Sequence, residues 1–130
     1  FLTLVLLLTT ALVVKKFYKR ESPYEKQLHL LSEEINRTCP LQVDQRMRLD
    51  NTQIVGKNEF RYNFTLTNLE KGGFDESDLK RHLSDQILNS LKENDGMEVF
   101  RAQATKISYH YKDMHGQTVF ELKFDKDDYN

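Results

Sequence analysis

One stretch of the sequence, residues 58–68, restricts the fold more than any other. Phe60, Tyr62, Phe64 and Leu66 alternate there with charged and polar residues. A period of two places these four apolar side chains on one face of a β-strand and the polar ones on the other. Because the apolar face has to be covered, the stretch predicts a β-sheet with a second layer packed on it.

Two other segments have the spacing of amphipathic helices. In the first, Ser22 is placed to cap the helix, Pro23 takes the first helical position and Glu25 completes the start signal. Its apolar stripe consists of Tyr24, Leu28, Leu31 and Ile35. A second helix is predicted to begin at Asp75 and to end at Asn94-Asp95-Gly96. Its apolar stripe consists of Leu79, Leu83, Ile87, Leu88 and Leu91.

Alternation and turn residues predict three more strands. Residues 41–55 form an imperfect strand with an irregularity near Asn51, and two further strands follow near residues 107–112 and 120–124. The predicted order is helix, hairpin, helix, hairpin. We therefore expect one α+β domain over residues 22–126, with both helices on one face of a four-stranded antiparallel sheet, and a frayed tail at residues 127–130.

The N-terminus has a different composition. Residues 1–14 carry no charge, and a basic cluster follows: Lys15, Lys16, Lys19 and Arg20. Fourteen helical residues span ~21 Å, against ~30 Å for the hydrocarbon core of a bilayer. With the flanking Phe17 and Tyr18, residues 1–18 predict a hydrophobic, uncleaved, single-pass membrane helix. The basic cluster alone leaves its topology open, because the positive-inside rule compares both flanks.

Charge and cysteine content exclude some functions. The chain has 19 basic and 20 acidic residues, and four of the basic ones precede Ser22, so the remainder is more acidic than the whole. Sequence-independent nucleic-acid binding needs a clustered positive field, and we expect no nucleic-acid partner. The single cysteine, Cys39, excludes an intrachain disulfide and is expected to be a partly buried structural thiol.

Three short patterns carry a resemblance to known proteins: Asn36–Asp44, Arg48–Asp50 and Tyr62–Leu66. With them, most of residues 30–125 resembles a group of small bacterial proteins of unknown function that are exported or membrane-attached. The resemblance implies a bacterial cell-envelope location and no activity.

Two groups of residues are candidates for a site. Asp44, Arg46, Arg48 and Asp50 lie two residues apart on the way into the first strand, where alternation would make a polar recognition patch. His110, Asp113 and His115 surround a tight turn, and imidazole and carboxylate groups suit zinc.

No acid, base, nucleophile or phosphate-binding loop converges in this sequence, and no cofactor is expected. The leading hypothesis is therefore a membrane-anchored interaction or accessory module without catalytic activity, whose partner is another envelope protein. The alternative is a small metal-dependent protein or enzyme that uses His110, Asp113 and His115.

Overall fold

The computed structural model describes residues 22–130 of the chain, and they form an α+β domain. The strands are β1 (Leu41–Gln42), β2 (Met47–Val55), β3 (Glu59–Leu66), β4 (Lys106–Lys112) and β5 (Thr118–Phe124). The helices are α1 (Pro23–Thr38), α2 (Glu76–Glu93), α3 (Glu98–Gln103) and α4 (Lys126–Tyr129), with a 3₁₀ turn at Asp95–Met97.

The five strands make one mixed sheet in the order β1-β2-β3-β4-β5. β1 with β2, β2 with β3 and β4 with β5 are antiparallel pairs, whereas β3 and β4 are parallel. The long connection from β3 through α2 and α3 returns the chain to the end of the sheet from which β3 started. Such a crossover makes the next strand run parallel to its neighbour.

The prediction of a four-stranded antiparallel sheet was therefore wrong. It placed two successive hairpins in one antiparallel sheet and did not allow for a crossover that sets β3 beside β4 in parallel. It also merged β1 with β2, although the chain reverses at residues 43–46 and Leu41 pairs with Leu49. The irregularity expected near Asn51 is a register shift between Leu49 and Asn51.

Stacked aromatic rings join β3 to β4. In the parallel register Tyr62 lies beside Tyr109, with ring centroids 4.9 Å apart and planes within 6°. Phe64 lies beside Tyr111 at 5.2 Å and 10°. These rings are on the core face of the sheet, and Leu28 of α1 and the leucines of α2 belong to the same hydrophobic cluster.

Helix α1 begins as the sequence predicts and closes one edge of the sheet. The Ser22 side chain accepts a hydrogen bond from the Glu25 N–H at 3.1 Å. At the other end of α1, Asn36 bonds the backbone of Thr52 in both directions: its Oδ1 accepts the Thr52 N–H at 2.7 Å, and its Nδ2 donates to the Thr52 C=O at 3.0 Å. The Asn36 side chain thus takes the place of a neighbouring strand at Thr52.

The C-terminal residues are ordered by specific contacts. Residues 126–129 form α4 behind a capping box at Asp125, rather than the frayed tail predicted for residues 127–130. Tyr129 is only 3% exposed, and its hydroxyl donates to the carbonyls of Thr105 (2.5 Å) and Phe100 (3.3 Å). Burial raises the pKa of Tyr129 to about 12, so the hydroxyl remains a donor at neutral pH.

The predicted hydrophobic helix at residues 1–18 lies outside the described residues. Within residues 22–130, no helix is both long and apolar enough to cross a membrane.

We predict that Asn36→Ala lowers the free energy of unfolding by ~2 kcal/mol, because the backbone N–H and C=O of the buried Thr52 lose their partner. Urea denaturation of the variant and the parent protein measures the loss. The matched control is Arg37→Ala at the neighbouring exposed position, which we expect to change stability by less than about 0.5 kcal/mol. Equal losses at both positions would contradict the role assigned to Asn36.

Candidate functional site: an apolar groove beside helix α2

A groove on the described part of the chain lies between α2 and the loop of the β1–β2 hairpin, residues 43–46. It encloses about 430 Å³. It is lined by Asp44, Gln45, Arg46, Met47, Leu66, Leu69, Leu79, His82, Leu83 and Gln86. We call it the α2 groove. A shallower extension of about 360 Å³ shares Arg46, Leu69, Leu79 and His82 and continues to Phe74 at the start of α2.

The floor and one wall of the α2 groove are apolar because of strand and helix periodicity. Met47 and Leu66 are directly paired across β2 and β3, on the core face of the sheet. Leu79 and Leu83 are one helical turn apart on α2 and face the same space. The polar side chains Gln86 and His82 are exposed at the rim. An apolar floor with a polar rim is the usual composition of a protein-binding surface.

The loop at residues 43–46 forms one wall of the α2 groove, which we call the hairpin wall. Most of its backbone N–H groups are already hydrogen-bonded within the domain. The N–H groups of Val43 and Asp44 both donate to the Met47 C=O, at 2.9 and 3.4 Å. The Arg46 N–H donates to the Asp44 carboxylate at 2.7 Å, and the Arg46 C=O accepts the Thr67 N–H at 2.9 Å. A segment bound in the groove would have to satisfy its own backbone hydrogen bonds, as a helix does.

The four residues predicted as a recognition patch divide between two surfaces. Asp44 and Arg46 line the α2 groove. Arg48 and Asp50 instead lie on the outer face of the sheet, where Arg48 Nε is 2.6 Å from one oxygen of the Asp50 carboxylate. The other oxygen accepts a hydrogen bond from the Thr65 hydroxyl at 2.5 Å. The hairpin reversal separates the two pairs, because it starts a new strand between Arg46 and Arg48.

Asp113 holds the turn between β4 and β5 against the segment that follows β3. Its fully buried carboxylate accepts backbone N–H groups from Lys71 (3.0 Å), His115 (2.8 Å) and Gln117 (2.9 Å). These hydrogen bonds, that of Lys71 foremost, lower the pKa of Asp113. In the same turn the Met114 N–H donates to the C=O of Leu69, a floor residue of the groove.

The three residues of the metal-site alternative make different contacts. His110 Nε2 lies 3.0 Å from Glu121 Oε1, on the outer face of the sheet. Asp113 binds backbone N–H groups, and His115 Nε2 lies 3.6 Å from the exposed Glu70. Across residues 22–130, no cluster of three or more His, Cys, Asp or Glu side chains is placed to hold a metal ion.

Sequence reasoning missed most of the groove. The helical spacing of Leu79 and Leu83 correctly indicates the core, where Leu83 is only 6% exposed, but it does not show that Leu79 stays partly exposed beside the groove. Leu69 and His82 had no signal at all. The only indication came from Asp44 and Arg46, which were predicted to belong to a polar recognition patch and which line the groove.

The amino-acid sequence matches one family model over residues 22–120, which is more than half of the chain. The chain belongs to the DUF8479 family, a domain of unknown function. This supports the predicted resemblance to small bacterial proteins of unknown function. None of the curated proteins searched matches the sequence.

Solved structures with a similar fold come from bacteria. A candidate secreted protein of Pseudomonas aeruginosa, PA3611, is 16% identical with a TM-score of 0.65, over 82% of this chain and 93% of that chain. The pilotin EpsS of the Vibrio vulnificus type 2 secretion system is 11% identical, with a TM-score of 0.62 over 82% and 96%. The type II secretion pilotin AspS of Vibrio cholerae is 10% identical, with a TM-score of 0.58 over 81% and 94%. At these identities, the similarity establishes a shared fold.

We predict that Asp113→Asn lowers the free energy of unfolding at pH 7 and reduces the loss of that free energy between pH 7 and pH 3. An amide cannot accept three N–H groups as a carboxylate does. Because the pKa of Asp113 is lower in the folded than in the unfolded state, its contribution is complete above about pH 4 and is lost as pH falls through the folded pKa. Urea denaturation at pH 7 and pH 3 measures both effects.

Glu121→Gln is the comparison for this pH effect. Partial burial alone would raise the pKa of Glu121, but the hydrogen bond from Lys123 and the nearby His110 lower it overall. The Glu121 side chain is 35% exposed, so water screens these contacts and we expect a smaller change than at Asp113. A full pH dependence retained in Asp113→Asn would contradict the assignment.

Proposed function

We propose that this chain is a non-catalytic accessory module of the bacterial envelope, and that its α2 groove holds a hydrophobic helical segment of another envelope protein. The observation that carries the proposal is the groove itself: Met47, Leu69 and Leu79 are partly exposed in it, beside a hairpin loop most of whose backbone N–H groups are already hydrogen-bonded. Such a surface favours a segment that buries apolar side chains and satisfies its own backbone.

The shared fold agrees with this proposal. Two solved structures of that fold are pilotins of type II secretion systems. The proposed helix would lie along α2, where the partly exposed Leu79 offers apolar contact and the extension towards Phe74 offers more. Exposed Val43, at 53%, adds apolar surface next to the hairpin wall.

The groove proposal predicts position-dependent photocrosslinking in living cells. A photoreactive amino acid at Gln86, on the rim, should crosslink the full chain to an envelope protein, because Gln86 lines the groove. The same amino acid at Asn89, also exposed on α2 but outside the groove lining, is the matched control and should give little product. Mass spectrometry identifies the crosslinked segment.

Binding of a synthetic peptide of that segment then tests the groove directly. Leu79→Gln should weaken binding about tenfold, since it removes apolar contact equivalent to ~1.4 kcal/mol. Asn89→Gln should leave the affinity unchanged. Fluorescence anisotropy measures both. Equal crosslinking at Gln86 and Asn89, or full affinity in Leu79→Gln, would refute the groove as the binding site.

We also propose that residues 1–18 anchor the protein in the membrane, because their charge-free run ends in a basic cluster. The full chain should stay in the membrane fraction after washes with high salt and with carbonate. A chain that begins at Ser22 should be released, and it should remain folded because α1 carries its own N-cap. Release of the full chain by carbonate would refute the anchor and leave the groove proposal standing.

A further inference from the structure

The two edges of the sheet are treated differently. On one side, β1 pairs with β2 only at Leu49 and Arg48. Further along β2, the Asn36 side chain hydrogen-bonds the backbone N–H and C=O of Thr52. On the other side, β5 is the last strand of the order. The backbone of residues 118–124 pairs with β4 and makes no hydrogen bond with any other described residue. An edge of this kind can pair with another strand.

The charges on β5 are self-complementary. Glu121 and Lys123 flank Leu122 and lie on the outer face of the sheet, with side chains 35% and 66% exposed. When two copies of β5 run antiparallel with Leu122 opposite Leu122, Glu121 of each copy faces Lys123 of the other. Opposite charges in directly facing positions stabilise an antiparallel pair.

Other registers bring like charges together. Centring the antiparallel pair on Glu121 sets two carboxylates opposite each other, and centring it on Lys123 does the same with two ammonium groups. Parallel pairing in register repeats both clashes. Because facing like charges destabilise a strand pair, Glu121 and Lys123 together select one arrangement of two identical edges.

The buried face of β5 agrees with the same arrangement. Phe120 and Phe124 point into the core, at 9% and 7% exposure, and they would face each other across the pair centred on Leu122. On this side of the sheet the register therefore sets only apolar side chains opposite one another. No residue of β5 lines the α2 groove, so the pairing leaves the groove of each copy open.

We propose that two copies of this chain pair antiparallel through their β5 edges, with the twofold axis at Leu122, so that one continuous sheet runs through both copies. The interface consists of a single strand pair. It is smaller than the ~1,600 Å² of a standard protein–protein interface, and we therefore expect a reversible monomer–dimer equilibrium.

A charge-swap experiment tests this arrangement. The four proteins are the parent, Glu121→Lys, Lys123→Glu and the double variant with both changes. Each single change converts both facing pairs to like charges, so the association constant should fall about tenfold or more. The double change restores opposite charges in reversed order and should return the association constant to within about threefold of the parent. Sedimentation equilibrium of the full chain in mild detergent, at several protein concentrations, measures all four.

Association through residues 1–18 would be equal in the four proteins, because all share them. Equal association in all four, a parent that stays monomeric, or a double variant as weak as the singles would each overturn the proposal. Circular dichroism melting checks that each variant is folded.

A crosslinking measurement on the parent protein makes the test independent of folding defects. Chains with natural and with ¹⁵N isotope content are mixed and treated with a zero-length carbodiimide, which joins a carboxylate to an amine. Within one chain Glu121 Oε1 is already 3.3 Å from Lys123 Nζ, so only a product that joins a light and a heavy chain counts. A mixed Glu121–Lys123 product is expected, and its absence at concentrations where the parent dimerises would overturn the register.

Discussion

The parallel pairing of β3 with β4 is the contact on which the rest of this domain depends. It stacks Tyr62 on Tyr109 and Phe64 on Tyr111, so that the partly buried Tyr62 and Phe64 pack against core residues. Because the pairing is parallel, the chain between the two strands has to cross over the sheet, and the crossover contains α2. The position of α2 beside the β1–β2 hairpin, and hence the α2 groove, follows from this one pairing.

Local structure was predictable where one side chain determines it. Ser22 and Asp75 are N-caps as expected, and the alternation of Phe60, Tyr62 and Phe64 identified the central strand. Topology was not predictable in this way. The same alternation occurs in a strand with parallel or antiparallel neighbours, and nothing in residues 106–112 shows which strand they will pair with. The two-residue β1 was missed for a similar reason, since so short a strand has no periodicity of its own.

The candidate site was half predictable. The charges of Asp44 and Arg46, just before a strand, indicated an exposed recognition surface, and both residues line the groove. Arg48 and Asp50 have the same composition, but the hairpin turns them to the opposite face, where they bond each other and Thr65. Asp113 shows the converse case. Its histidine neighbours made it a candidate metal ligand, yet its carboxylate accepts three backbone N–H groups. A sequence pattern cannot distinguish a carboxylate that binds a metal from one that holds a turn.

The crossover has a consequence for the timing of binding. One wall of the groove, residues 44–46, precedes β3 in the chain, and the other wall, on α2, follows it. The two walls therefore come together only after distant parts of the chain have assembled, and an unfolded or partly folded chain has no groove. A partner that occupies the groove binds only the native state of the domain. It would therefore lower the unfolded fraction and protect the chain from proteolysis, and both effects would increase with the concentration of free partner. The domain would then persist longer with the groove occupied than with it empty.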